Sequence, residues 1–184
     1  MPFSIEFFLQ GHLEYDSTMG SFSPDLRAFA HRGGKIITWQ GLADNYIMPQ
    51  GNMLYYQKVL AIDPHAQDYY RQFYSPGVGH CGGGTGVQPI DALGQLRAWV
   101  ENCTAPESLH AASMYPVNAA SNIVTSGANV RFEDLCAYPM VNKYNGKGDP
   151  ALASSYECKP EGGWLGFQEL GNATCSCVGA TGWQ

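Results

Sequence analysis

The amino-acid sequence predicts an α/β fold in which a short parallel sheet is flanked by helices. Two observations carry this reading: strand-like and helix-like apolar patterns alternate from Ser23 to Glu101, and a helical stretch separates the two strand-like runs, as a parallel crossover requires. A third sets the scale. The 184 residues, with 45% hydrophobic content, can bury one ordinary core and sit near the lower limit for two.

Ser23-Pro24-Asp25, followed by Leu26, Phe29 and Ala30 and stopped by Gly33-Gly34, reads as a short amphipathic helix with an N-cap and a proline in its first turn. Lys35 to Gln40 is apolar and β-branched and reads as a strand ending at Gly41. After a turn through Asp44-Asn45, a helix is expected from Pro49 to Ala61, with Leu54, Val59 and Leu60 facing inward. Asp63-Pro64 resets the chain. Tyr69 to Tyr74, rich in aromatics, reads as the second strand and opens into the loop Ser75 to Gly84, which is too rich in glycine for an element interior. From Pro89 to Glu101 the spacing of Leu93, Leu96 and Val100, with Trp99 beside them, gives a helix that closes over the sheet. After Pro106 the rhythm is lost, and an extended, loop-rich segment is expected. Residues 161–184 read as a Gly-rich, disordered tail, leaving residues 1–160 as the structured unit.

Charged residues make up 14% of the chain, against about 25% in an average soluble protein. With 22 glycines and 11 prolines this implies long ordered loops, which often carry function. The net charge of -6, without any basic run, argues against a nucleic-acid partner. No apolar run approaches the roughly 18 residues of a membrane span, so no membrane partner is expected. Cys81, Cys103, Cys136, Cys158, Cys175 and Cys177 form an even set without the paired spacing of a zinc site, and the sequons Asn102-Cys103-Thr104 and Asn172-Ala173-Thr174 accompany them. An extracellular setting is expected. Met1 to Gln10 is a poor signal peptide, so the chain reads as a piece of a longer precursor.

Asp44 lies beyond the C-terminal end of the first strand and His80 beyond that of the second, where open α/β sheets build active sites. A histidine acting as general base needs a carboxylate on its other ring nitrogen, and the order acid then His is that of α/β hydrolases. An Asp here also serves as the cap of a following helix, and a His in a glycine loop is often only a solvated loop residue. His12, His31, His65 and His110 stand at no ligand spacing, so no metal is expected within this chain.

The runs Asp25 to Phe29, Arg32 to Ile36, Gly41-Leu42-Ala43-Asp44, Tyr55-Tyr56 and Phe73-Tyr74 to Gly84, with Leu135 to Pro139, Tyr144 to Asp149 and Cys158, closely resemble the C-terminal part of the tannase and feruloyl esterase family. The resemblance extends from Pro24 to Cys158, and His80-Cys81 after its glycine loop is the most specific element. It implies the C-terminal part of an α/β-hydrolase fold, with Asp44 as triad acid and His80 as base. Cys81 would bond to a cysteine beside the family's nucleophilic serine. Cys136 and Cys158 would form a structural disulfide contributing on the order of 3 kcal/mol.

The sequence departs from the family in what precedes Asp44. Ser4, Ser17, Ser21 and Ser23 lack the cysteine and the nucleophile elbow, and the family's calcium-binding lid is absent. Thr174-Cys175-Ser176-Cys177 contains Cys-Ser but follows the histidine. Cys103 pairs with a tail cysteine or with none. The resemblance therefore implies a secreted serine esterase acting on aromatic-acid esters: feruloyl esters of plant xylan, with galloyl esters the alternative. The N-terminal part of the same precursor, disulfide-linked through Cys81, would be the partner, and calcium would belong to the lid rather than to this chain. A rival reading makes the chain a truncated, non-catalytic piece.

Overall fold

The computed structural model describes residues 4–113 and 130–160. In chain order the elements are helices α1 (Ile5–Met19) and α2 (Arg27–His31), strand β1 (Ile36–Gly41), helix α3 (Pro49–Ile62), strands β2 (Tyr70–Ser75) and β3 (Val87–Pro89), and helix α4 (Ala92–Asn102). Strands β4 (Ser108–Ser113), β5 (Phe132–Cys136), β6 (Met140–Tyr144) and β7 (Tyr156–Pro160) follow. β1 and β2 pair in parallel, from Ile36 opposite Tyr70 to Gly41 opposite Ser75, with α3 as the crossover. β3, β4 and β5 form an antiparallel sheet, and β6 pairs antiparallel with β7. The Tyr138 amide donates to the Gln72 carbonyl at 2.8 Å, tying the end of β5 to β2.

Both faces of the parallel pair are covered, so even the polar side chains of β2, Arg71, Gln72 and Ser75, are buried. On one face Tyr70 and Tyr74 meet Tyr56 of α3 and Tyr138, edge to face, with Tyr56 and Tyr70 ring centres 4.7 Å apart. The Tyr56 hydroxyl donates to the Tyr70 carbonyl at 2.8 Å, so the ring brings its polar end into the core with a partner. Burial pushes the Tyr138 phenol up to about 12. On the other face Phe73 packs with Val87, Leu109 and Leu135, with Ile37 and Trp39 against them. Trp99 of α4 is fully buried, and Lys35 and Arg71 lie over its ring.

Several expectations are corrected. α3 buries Met53, Tyr56 and Val59 and leaves Leu54 exposed, because the large tyrosine at its centre fixes the inward stripe. α4 turns in Trp99 while Leu93 and Val100 face out. Its Gln95 donates to the Ser108 carbonyl at 2.8 Å and accepts from the His110 amide at 3.2 Å, which holds that stripe against β4. The segment after Pro106, expected to be extended and loop-rich, is extended but forms four paired strands among its described residues. α1 was not foreseen and buries no side chain. Among the described residues no helix is long and apolar enough to cross a membrane. Residues 161–184, with Asn172, Cys175, Ser176 and Cys177, lie outside the described residues, as do residues 1–3 and 114–129.

Candidate active site

β1 ends at Gly41, and the next residues are bonded to the chain beyond β2. The Leu42 amide donates to the Ser75 carbonyl at 2.9 Å and the Ala43 amide to the Val78 carbonyl at 3.0 Å. The two strand-end loops therefore form one unit. Gly41 is required at this seam: a Cβ there would lie 2.2 Å from the Val78 oxygen.

Asp44 follows at once. Its Oδ1 accepts from the amides of Tyr46 at 2.9 Å and Ile47 at 2.8 Å, which fixes the carboxylate plane. Its Oδ2 lies 3.1 Å from His80 Nδ1, with the Asp44 side chain 7% exposed and that of His80 40%. Burial pushes the Asp44 carboxyl up, but the Ile47 amide, the His80 ring and the Tyr46 amide outweigh it and hold the carboxyl below its ordinary value. The capping reading of Asp44 survives in altered form. Its Oδ1 organises the turn before α3, whose own N-cap is Met48.

The loop that carries His80 is shaped by glycine. Val78 bridges Gly84, and Cys81, Gly82, Gly83 and Gly84 all have positive φ. At Gly84 a side chain would meet the Gly77 oxygen at 2.2 Å, so this turn closes only on glycine. Ser75, buried at the base of the loop, donates its hydroxyl to the Val87 carbonyl.

With Nδ1–H donating to the carboxylate, Nε2 of His80 is left as a proton acceptor on the open side of the ring. The arrangement is that of a general base with an acid that orients it. Among the described residues no serine hydroxyl bonds to His80. Tyr46 rests beside the imidazole, ring centres 5.3 Å apart, and Tyr46, Ile47 and Met48 form an exposed apolar lip next to the pair.

The residues that sequence reasoning missed are the supports. Gln40, buried at the end of β1, donates to the Ile47 carbonyl at 2.6 Å and accepts from Asn52 of α3. A polar side chain at the end of an apolar strand was the available signal. His110 and Asp134 make a second pair at 2.8 Å across β4 and β5, but they are 65% and 38% exposed. Solvent competes with that bond and neither ring nor carboxylate is fixed by a pocket.

Cys81 is exposed and a free thiol, beside His80. Cys136 and Cys158 are bonded and join β5 to β7. Cys103 is also disulfide-bonded. Among the described residues no group of three His, Cys, Asp or Glu side chains could hold a metal ion.

Comparison with known proteins shows the family to which the chain belongs. The profile of the tannase and feruloyl esterase family matches residues 6–159. A probable feruloyl esterase of Arthroderma benhamiae is 40% identical over 162 residues, covering 85% of this chain and 28% of that protein. The mono(2-hydroxyethyl) terephthalate hydrolase of Piscinibacter sakaiensis is 36% identical over 139 residues, covering 76% of this chain and 22% of its own. The crystal structure of an esterase from Aspergillus oryzae superposes with a TM-score of 0.71 at 26% identity, over 85% of this chain and 33% of that one. The chain thus spans 28% and 22% of the lengths of the two relatives. It belongs to the tannase and feruloyl esterase family, a family of carboxylic-ester hydrolases.

Proposed function

We propose that the chain is the C-terminal part of an α/β-hydrolase domain of a secreted serine esterase, and that it supplies the acid and base of the triad. The observation that carries the reading is the His80–Asp44 bond at the C-terminal ends of two parallel strands. His80 takes the proton of a serine hydroxyl through Nε2 as that oxygen attacks the ester carbonyl, and returns it to the leaving alcohol. Water then enters by the same route. Asp44 holds the Nδ1–H tautomer and stabilises the imidazolium.

The nucleophile and the oxyanion hole belong to an N-terminal part of the same precursor. Cys81 bonds a cysteine next to that serine, a reading supported by its exposure in the loop that carries the base. Any calcium would belong to the lid that this part contributes. The substrate proposed is a hydroxycinnamoyl (feruloyl) ester of plant xylan, whose aromatic ring suits the lip of Tyr46, Ile47 and Met48. Galloyl esters are the second reading, because the matched family unites tannases with feruloyl esterases.

The isolated 184 residues are then inert. A fluorophosphonate probe should leave them unlabelled, while the complete protein should be labelled on the upstream serine and hydrolyse methyl ferulate faster than methyl gallate. Stoichiometric labelling of the isolated chain that disappears in His80→Ala would overturn the reading, and labelling at Ser176 would identify a nucleophile inside this chain.

A further inference from the structure

We propose that Asn102 carries an N-linked oligosaccharide and that its transfer precedes closure of the disulfide at the adjacent Cys103. The inference rests on the extracellular reading given above. Asn102-Cys103-Thr104 satisfies the acceptor pattern, and all three residues are exposed. Asn102 is the last residue of α4, and Cys103 caps the helix in the left-handed region at φ 58°. The turn therefore projects from the surface. The disulfide at Cys103 belongs with an oxidising compartment, the same compartment in which such transfer takes place.

The reaction is a glycosyl transfer. The side-chain amide nitrogen of Asn102 bonds to the anomeric carbon of a lipid-pyrophosphate oligosaccharide. The bond from that carbon to the pyrophosphate oxygen breaks, the lipid pyrophosphate leaves, and the amide gives up one proton. No oxidant is consumed.

The order follows from the folded geometry. The amides of both Cys103 and Thr104 donate to the Ala98 carbonyl, the latter at 3.3 Å, and the Thr104 hydroxyl donates to the Asn102 carbonyl at 3.4 Å. A transferase must hold the tripeptide open, with the threonine hydroxyl free to meet the asparagine side chain. The helix end and the disulfide withhold that conformation, so the unfolded, reduced segment is the acceptor.

The place of the sugar is compatible with the proposed chemistry. Trp99, one turn before Asn102, lies under Lys35, which precedes β1, whereas Asp44 follows its other end. Six residues of strand separate the two, or roughly 20 Å. The oligosaccharide stands away from His80.

The test is peptide mapping of the protein from its source, with peptide N-glycosidase digestion in heavy-oxygen water, which converts a glycosylated Asn102 to labelled Asp. Labelled Asp at this position is expected. Unmodified Asn102 in protein recovered from the medium overturns the site and leaves the extracellular reading standing. Unmodified Asn102 in protein confined to the cell overturns both. In a eukaryotic secretory host, Thr104→Ala should lose the modification entirely and Thr104→Ser should keep it; modification that persists in Thr104→Ala overturns the assignment. Cys103→Ser keeps the acceptor pattern and should raise its occupancy above wild type, while equal or lower occupancy overturns the proposed order.

Discussion

Gly41→Ala adds one methyl group where the loops bearing Asp44 and His80 are joined. The new Cβ would lie 2.2 Å from the Val78 carbonyl oxygen, 2.7 Å from its carbon and 3.0 Å from the Gly79 oxygen, all backbone atoms. Relief requires the two loops to separate by about 1 Å, since ordinary packing tolerates no such overlap. The displaced oxygen is also the acceptor for the Ala43 amide at 3.0 Å. Overpacking costs about 1–3 kcal/mol and the strained hydrogen bond about 1 kcal/mol, or about 2–4 kcal/mol together. In a domain of this size that lowers the melting temperature by roughly 4–16 °C. Gly51→Ala is the control, the same chemical change in open space within α3, where the methyl should stabilise the helix by about 0.5–1 kcal/mol. Thermal and urea unfolding of the three chains reads the contrast. In the complete protein Gly41→Ala should also cost about a hundredfold in turnover, the usual result of misplacing a catalytic group by an ångström. A Gly41→Ala chain as stable as wild type would show that the seam is not a constraint and that His80 owes its position to something else.

Asp44→Asn keeps an oxygen for the Tyr46 and Ile47 amides, so its amide NH2 turns toward His80 and forces the wrong tautomer. In the complete protein turnover should fall about four orders of magnitude with little change in melting temperature, by analogy with the serine-protease triad. Most activity retained would remove Asp44 from the mechanism. Burial raises the phenols of Tyr56, Tyr70, Tyr74 and Tyr138 in the folded state, so unfolded tyrosines ionise first and stability should fall as pH rises past about 10. Urea midpoints against pH, with a shallower decline in Tyr56→Phe, check the sign; a midpoint constant to about pH 11 would contradict it. Cys158→Ser should lower stability by about 3 kcal/mol through the loop that the Cys136–Cys158 bond closes, measured against wild type without reductant, and no loss would mean the unfolded chain is already constrained there.

The parallel unit was legible because each of its parts has a period or a boundary that only one element satisfies. Ile36 to Trp39 offers no polar face for a surface helix, and Pro49 with thirteen further residues to Ile62 offers a helix start with nothing to break it. β4 to β7 were illegible because five- or six-residue strands such as Met-Val-Asn-Lys-Tyr carry too few apolar positions to show alternation. Their pairing is decided by partners distant in sequence. α1 has a different history: Ile5, Phe8, Leu9 and Leu13 stand at helical spacing, yet with Phe7 they all face out, so no core contact marks the helix.

The candidate pair was read from position, order and family resemblance, without any information on burial. That information is what separates it from its counterpart on the antiparallel sheet. His110 and Asp134 stand opposite one another in register, a juxtaposition any two adjacent strands can produce. Asp44 and His80 are brought together by loops that share backbone hydrogen bonds, and one oxygen of Asp44 is already committed to two amides before the other meets the ring. A carboxylate fixed in this way cannot turn toward solvent when the imidazole gains a proton, so the charge it supplies stays directed at Nδ1. Gln40 and Asn52 extend the same restraint to α3. Because that network crosses from strand to loop to helix through polar side chains, hydrophobic periodicity could not reveal it, and Gly41, the smallest residue in it, sets how closely its two halves approach.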